Sequence, residues 1–291
     1  MPANIPEIVK LLELEKIDID LYRGQQPEQS QLTRVYGGQV LAQALMAAIK
    51  SVDPKWTVHS LHAYFILGGD PSIPIVYDVE RIRDGRSFAT RRVAAKQNGQ
   101  VIFYLTASFQ VEEIGWEHQE QMPVVPTVEE TPTMRELLEM ASNAESATRW
   151  AEEWAAFEVR YIGDNRASDD PDRAKKPAVQ RLWFRTRGEV VPNDPNLHRC
   201  LMTYISDLTL LGSTLAPHGV YIGSPKVQPA SLDHTVWFHR PMQADQWHLY
   251  DQEAPYAGGS RGLALGRIFS QDGQLVATVA QEGLIRQARK K

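Results

Sequence analysis

The sequence predicts an α+β protein made of two tandem copies of one unit, each a strand, a buried helix and an antiparallel sheet. Two stretches, Val40 to Ile49 and Asn196 to Ala216, are apolar on most helical faces, as expected of helices enclosed on nearly every side. Tight-turn pairs punctuate alternating apolar segments: Asp84-Gly85 and Asn98-Gly99 early, Gly258-Gly259 and Asp272-Gly273 late. Such pairs suit the left-handed turns of hairpins. Finally, the halves superpose without gaps: Asn98-Gly99-Gln100 on Asp272-Gly273-Gln274 puts Val101, Ile102 and Leu105 on Leu275, Val276 and Val279. A repeat of that period is the mark of a duplicated unit.

In order along the chain, Gly37-Gly38 opens the first helix, Trp56 to Leu67 is β-type, and Ile73 to Val111 is a meander. From Glu112 to Asn143 prolines 123, 126 and 132 stand among acidic residues and read as a linker. A helix spaced through Leu137, Ala141, Ala144, Ala147, Ala151 and Trp154 comes next, and then a polar surface loop over Gly163 to Pro177. Gln180 to Arg187 reads as a strand, the second apolar helix succeeds it, Ser231 to Phe238 is β-like, and Trp247 to Ile285 closes with a second meander. A three-residue gap lays Ser60-Leu61 on Ser231-Leu232. Antiparallel turns exclude a doubly wound nucleotide-binding sheet, which needs long crossovers.

The 291 residues are about twice the ~150 of a single domain, and 43% are apolar, enough for a packed core. With 31 Lys+Arg against 36 Asp+Glu the net charge is −5, which argues against a nucleic-acid binder. The lone Cys200 excludes an internal disulfide and a cysteine metal cluster. Neither a signal-peptide pattern, nor a C-terminal S-K-L, nor an apolar run long enough to span a membrane is found, so a cytoplasmic protein is expected.

Three polar residues stand out, and the first copy lacks two of them. Gln281, opposite Ala107, interrupts the apolar strand face of Leu275, Ala277 and Val279. A buried amide there needs partners or costs about 1–3 kcal/mol. Asp207 lies inside the second apolar helical pattern, where the first copy offers Gln39 or, with a one-residue slip, Gly38. Ser231 opens the second-copy strand. His59 and His62 are three apart, and His234 and His239 five apart, so alternation sends each pair to opposite faces and neither makes a metal site. Gly258 to Gly262 matches G-x-S-x-G, but Leu263 leads into another strand where the hydrolase elbow needs a helix.

These residues carry a resemblance. Val35 to Val40, Arg83 to Phe88 with Arg91 to Val93, Thr106 to Gln110, Ser206-Asp207-Leu208, Leu232-Asp233-His234 with Trp237 to Pro241, and Gln281-Glu282-Gly283 are similar to the acyl-CoA thioesterase II family over nearly the whole chain. The resemblance implies two tandem hotdog domains, 1–112 and 157–291, joined by a linker with a helix over 113–156. It also implies hydrolysis of medium to long chain fatty acyl-CoA. In that family an Asp, a Thr or Ser and a Gln are catalytic, matching Asp207, Ser231 and Gln281, with Ser in place of Thr here. Gly37, Gly38, His62, Arg83 and Arg92 are the expected substrate contacts, the glycines through helix N-terminal N–H groups on the thioester oxygen. Arg91 and Lys96 are further candidates for CoA phosphates. No cofactor and no metal is expected; the partners are the acyl-CoA substrate and further copies in a dimer or tetramer. A hydratase on the same fold would want an Asp-His pair, and no histidine stands near Asp207 in sequence. A non-catalytic acyl-CoA sensor would dispense with the base.

Overall fold

In a computed structural model, residues 1–28, 32–140, 148, 152–164 and 178–288 are described. Helix α1 (Ile5–Leu12) opens the chain and buries Ile5, Ile8, Leu11 and Leu12, an i, i+3 spacing legible in sequence but absent from the expected elements. Strands β1 (Glu15–Asp18) and β2 (Leu21–Gly24) come next, then α2 (Gly37–Ile49), β3 (Thr57–Phe65), β4 (Ile75–Asp84), β5 (Phe88–Gln97) and β6 (Gln100–Gln110). After α3 (Met134–Met140) come β7 (Phe157–Asp164), β8 (Ala178–Thr186) and α4 (Pro195–Ser206). A 3₁₀ helix (Leu210–His218) precedes β9 (Val227–Ser231), β10 (Asp233–Phe238), β11 (His248–Gly258), β12 (Arg261–Ser270) and β13 (Leu275–Gln287).

All the strands join one antiparallel sheet ordered β1-β2-β4-β5-β6-β3-β10-β13-β12-β11-β8-β7, with β9 also on β13. The halves meet where β3 pairs with β10, His62 opposite Thr235. The helices α2 and α4 pack against each other, and every residue of α2 from Gly38 to Ala48 is buried. That explains its apolar character. Its two buried amides are both bonded: Gln39 donates to Gln26 Oε1 at 2.9 Å, and Gln43 donates to the carbonyls of Leu11 and Gln25 and accepts from the Tyr77 hydroxyl at 2.7 Å. None of the helices among the described residues is long and apolar enough to cross a membrane.

The hairpins fall at the expected turns. Asn98 and Gly99 both take positive φ, 50° and 77°, and Gly259 and Ser260 do so between β11 and β12. The G-x-S-x-G match is therefore a β-turn inside a hairpin. β7 was not anticipated, and it carries the chain to Asp164, past the predicted start of a surface loop. The rest of that loop, and most of the helix predicted through Ala151, lie outside the described residues. Downstream of β6 the chain lies over the second half: Met122, Val125 and Val128 pack on Trp183, Leu249 and Phe269.

Two expectations are corrected by local structure. The second apolar helix ends at Ser206, and Asp207 is its C-cap with the 3₁₀ helix beyond. Ser231 ends β9 and does not open a strand. Both β9 and β10 pair with β13, with Ser231 opposite Gly283 and Thr235 opposite Ala280, so one residue is extra between them. The first half carries the same irregularity between Val58 and Ser60. A bulge of this kind reverses the alternation of side chains across it.

Candidate active site

Asp207 stands where two helix ends meet. At the C-terminus of α4, the Tyr204 carbonyl accepts from the Tyr36 hydroxyl and the Ser206 carbonyl from the Tyr250 hydroxyl, both at 2.9 Å. The first turn of α2 approaches from the other side, and the Gly38 N–H donates to the Asp207 carboxylate. Only glycine permits this contact. A Cβ on Gly38 would lie 2.2 Å from the Tyr204 carbonyl oxygen, and one on Gly37 would lie 2.6 Å from Asp207 Oδ2. The carboxylate thus faces the positive end of α2 and the negative end of its own helix, two opposing fields.

Gln281 closes the cluster from β13. Its Nε2 donates to Asp207 Oδ1 at 2.6 Å and to Ser231 Oγ at 3.0 Å, and Ser231 hydrogen-bonds to Asp207. The Gln281 Oε1 is buried without a hydrogen-bond partner among the described residues. The side chain of Asp207 is only 6% exposed. Burial raises its pKa to about 7, against the pull of the bonds from Gln281, Gly38 and Ser231. It is a carboxyl poised to gain or lose a proton at neutral pH.

The bulge adds a residue that sequence reasoning missed. Because alternation reverses between Ser231 and Thr235, Ser231 and His234 share the inner face with Gln281. His234 is fully buried, with Nδ1 3.7 Å from Asp207 Oδ1 and Nε2 2.9 Å from Ser206 Oγ. Burial pushes its pKa down to about 3. An Asp-His pair is therefore present, contrary to the sequence reading, which could weigh only neighbours along the chain. By the same device His59 and His62 share the outer face, not opposite faces. His59 bonds Ser108 Oγ at 2.8 Å and His62 packs edge-on against Trp237.

The other expected contacts separate. Gly37 and Gly38 border Asp207, but the Gly38 N–H is engaged by the acid itself and is not free for a thioester oxygen. His62 is exposed on the far face of the sheet. Arg92 pairs with Glu80, and Lys96 with Asp78 at 2.7 Å. Arg83 is exposed near the end of β4, and β6, β3 and β10 lie between these strands and Gln281 on β13. Arg91 is corrected outright: it is 1% exposed and bound to Ser51, Asp84 and the Arg83 carbonyl, a structural ion pair. A cavity of about 690 Å³ lined by His198, Arg240, Trp247 and His248 contains none of Asp207, Ser231 or Gln281.

Among the described residues, the first half supplies no second cluster. Tyr36 precedes α2 whereas Tyr204 lies in the last turn of α4, so matching the tyrosines pairs a helix start with a helix end. By helix ends, the counterpart of Asp207 is Lys50, the C-cap of α2, not Gln39 or Gly38. In sheet register Val58 faces Phe109 as Ser231 faces Gly283, so Val58, not Ser60, matches Ser231. Lysine, valine and Ala107 leave neither base nor orienting amide.

The chain is similar to known proteins over nearly its whole length. Residues 159–284 match the family described as acyl-CoA thioesterase, and residues 26–110 match the acyl-CoA thioesterase N-terminal domain. Acyl-CoA thioesterase 2 of Haemophilus influenzae is 42% identical over 98% of this chain and 99% of its own length. The chain belongs to the acyl-CoA thioesterase family. Among solved structures, acyl-CoA thioesterase II TesB2 from Mycobacterium marinum is 43% identical with a TM-score of 0.80, covering 96% of this chain and 98% of that one. A hot dog fold protein from Alicyclobacillus acidocaldarius, 20% identical with a TM-score of 0.76 over 96% of this chain and 97% of its own, shares the fold.

Proposed function

We propose that the protein hydrolyses medium to long chain fatty acyl-CoA thioesters, with Asp207 as general base and Ser231 and Gln281 holding the attacking water. The observation that carries this reading is a buried carboxyl with a pKa of about 7 bonded to both partners. Water oxygen attacks the thioester carbon while its proton passes to Asp207. The tetrahedral intermediate then collapses, the C–S bond breaks, and the CoA thiolate leaves and takes up the proton. A free thiol has a pKa near 8.5, so the departing sulfur needs little help from an acid.

Because the Gly38 N–H serves Asp207, the Gly37 N–H at the head of α2 is the remaining donor for the developing oxyanion. In this reading each half is a hotdog unit, 1–112 and 157–291, with 113–156 as the strap between them. The first half contributes the helix end and the second the reacting groups. We place the protein in the cytoplasm as a dimer or tetramer.

A hydratase reading gains from His234 standing beside Asp207. The family matches favour hydrolysis over it, since the curated relatives are named thioesterases. Incubation with palmitoyl-CoA and a thiol reagent tests the proposal: steady thiol release supports hydrolysis. Binding without release would indicate a sensor, and consumption of an enoyl-CoA without release a hydratase.

A further inference from the structure

We propose that His234 is a positioning residue for the reaction, a neutral acceptor whose bare Nδ1 receives a hydrogen bond from Asp207 once that carboxyl has taken the proton of the attacking water. This rests on the reading of Asp207 as the base and adds a partner for its protonated form.

The tautomer is set by the hydroxyl between them. Ser206 Oγ donates its one proton to the Thr203 carbonyl at 2.9 Å. Its 2.9 Å contact with His234 Nε2 then requires the ring to be the donor there. A neutral imidazole protonated at Nε2 presents a lone pair at Nδ1. That Nδ1 is buried, has no hydrogen-bond partner among the described residues, and lies 3.7 Å from Asp207 Oδ1.

With Asp207 ionised, two buried acceptors face each other and gain nothing. With Asp207 protonated, a shift of under about 1 Å brings O–H···N to hydrogen-bond length. The interaction exists only as the proton arrives, which is the kind that raises turnover instead of affinity. The other titratable groups facing Asp207 are Tyr36 ahead of α2, Tyr204 on α4 and Tyr250 on β11, all phenols with pKa raised by burial and neutral throughout the working range. Asp233, next to His234, accepts at 2.6 Å from the backbone N–H of Glu282, next to Gln281.

Two substitutions separate this role from simple packing. In His234→Gln the side chain reaches Ser206 but offers no acceptor at the Nδ1 position. In His234→Asn the carbonyl replaces Nδ1 and the Ser206 contact is lost. The expected result for His234→Gln is a fall in kcat of about tenfold with KM within about twofold, and an acid limb of the pH profile moved to lower pH. His234→Asn should keep the limb in place with kcat within about threefold of the parent. A packing role predicts the reverse order. An unmoved limb in folded His234→Gln, or a displaced limb in His234→Asn, overturns the proposal, and the second variant decides alone if the first does not fold. Asp207→Asn run alongside distinguishes the two readings: if it retains turnover, the base assignment itself has failed. If it is inactive while both histidine variants match the parent, only the role of His234 has.

Discussion

Replacing Asp207 by Asn should raise stability at alkaline pH while abolishing turnover, and the size of the effect is set by its surroundings. In the unfolded chain an Asp titrates near 3.9, whereas burial holds Asp207 near 7 in the folded protein. A carboxyl whose folded pKa is raised favours folding while it is neutral, below about pH 4, and that contribution is lost as pH rises through 7. At pH 8 the penalty is roughly 1.4 kcal/mol per unit over about three units, or about 4 kcal/mol. At pH 5 only the unfolded chain is ionised and the penalty is roughly 1–2 kcal/mol. An amide does not titrate, so the stability gap between Asp207→Asn and the parent should widen by roughly 2–3 kcal/mol from pH 5 to pH 8. Taking the difference between two pH values cancels the pH-independent changes in hydrogen bonding to Gly38 and Gln281. Urea unfolding of both proteins at the two pH values measures it, and palmitoyl-CoA turnover should fall by about 10²-fold or more. A gap that is flat with pH would refute the buried, half-titrated carboxyl, and near-parental turnover would refute its role as base.

The two helix-end glycines should fail differently. Gly38→Ala drives a Cβ into the Tyr204 carbonyl and should lower stability by roughly 1–3 kcal/mol, whereas Gly37→Ala presses on the Asp207 carboxylate and should lose turnover more than melting temperature; a parental melting curve for Gly38→Ala counts against the close approach of α2 and α4. Ser231 should act by position, so rapid-quench mass spectrometry should find no acylated chain, and an acyl-Ser231 species turning over at the steady-state rate would make it a nucleophile. With Lys50, Val58 and Ala107 in the first half, a non-hydrolysable acyl-CoA analogue should saturate near one equivalent per chain. Two equal sites would show that the first half retains a site of its own.

Sequence alone determined the antiparallel plan and the family, because both are written in local pattern, and it singled out the candidate site residues in the same way. The turn pairs Asn98-Gly99 and Asp272-Gly273 mark hairpins through their own backbone preferences, and the enclosed α2 announces itself by lacking a polar face. Gln281 stood out against Ala107 since a repeat supplies its own control, and the resemblance to thioesterases rested on the same residues. Three features were decided only in the folded chain. The end of α4 at Asp207 is set by packing beneath Tyr36 and Tyr250, residues distant in sequence. The bulge before β10 exists only against the ladder of β13, yet it decides that Ser231 and His234 face one way, which strict alternation denies. The meeting of Gly38 with Asp207 depends on two helices joined through well over a hundred residues. Periodicity reports which face of an element is buried, but it carries no record of which distant element lies against that face or where the register slips.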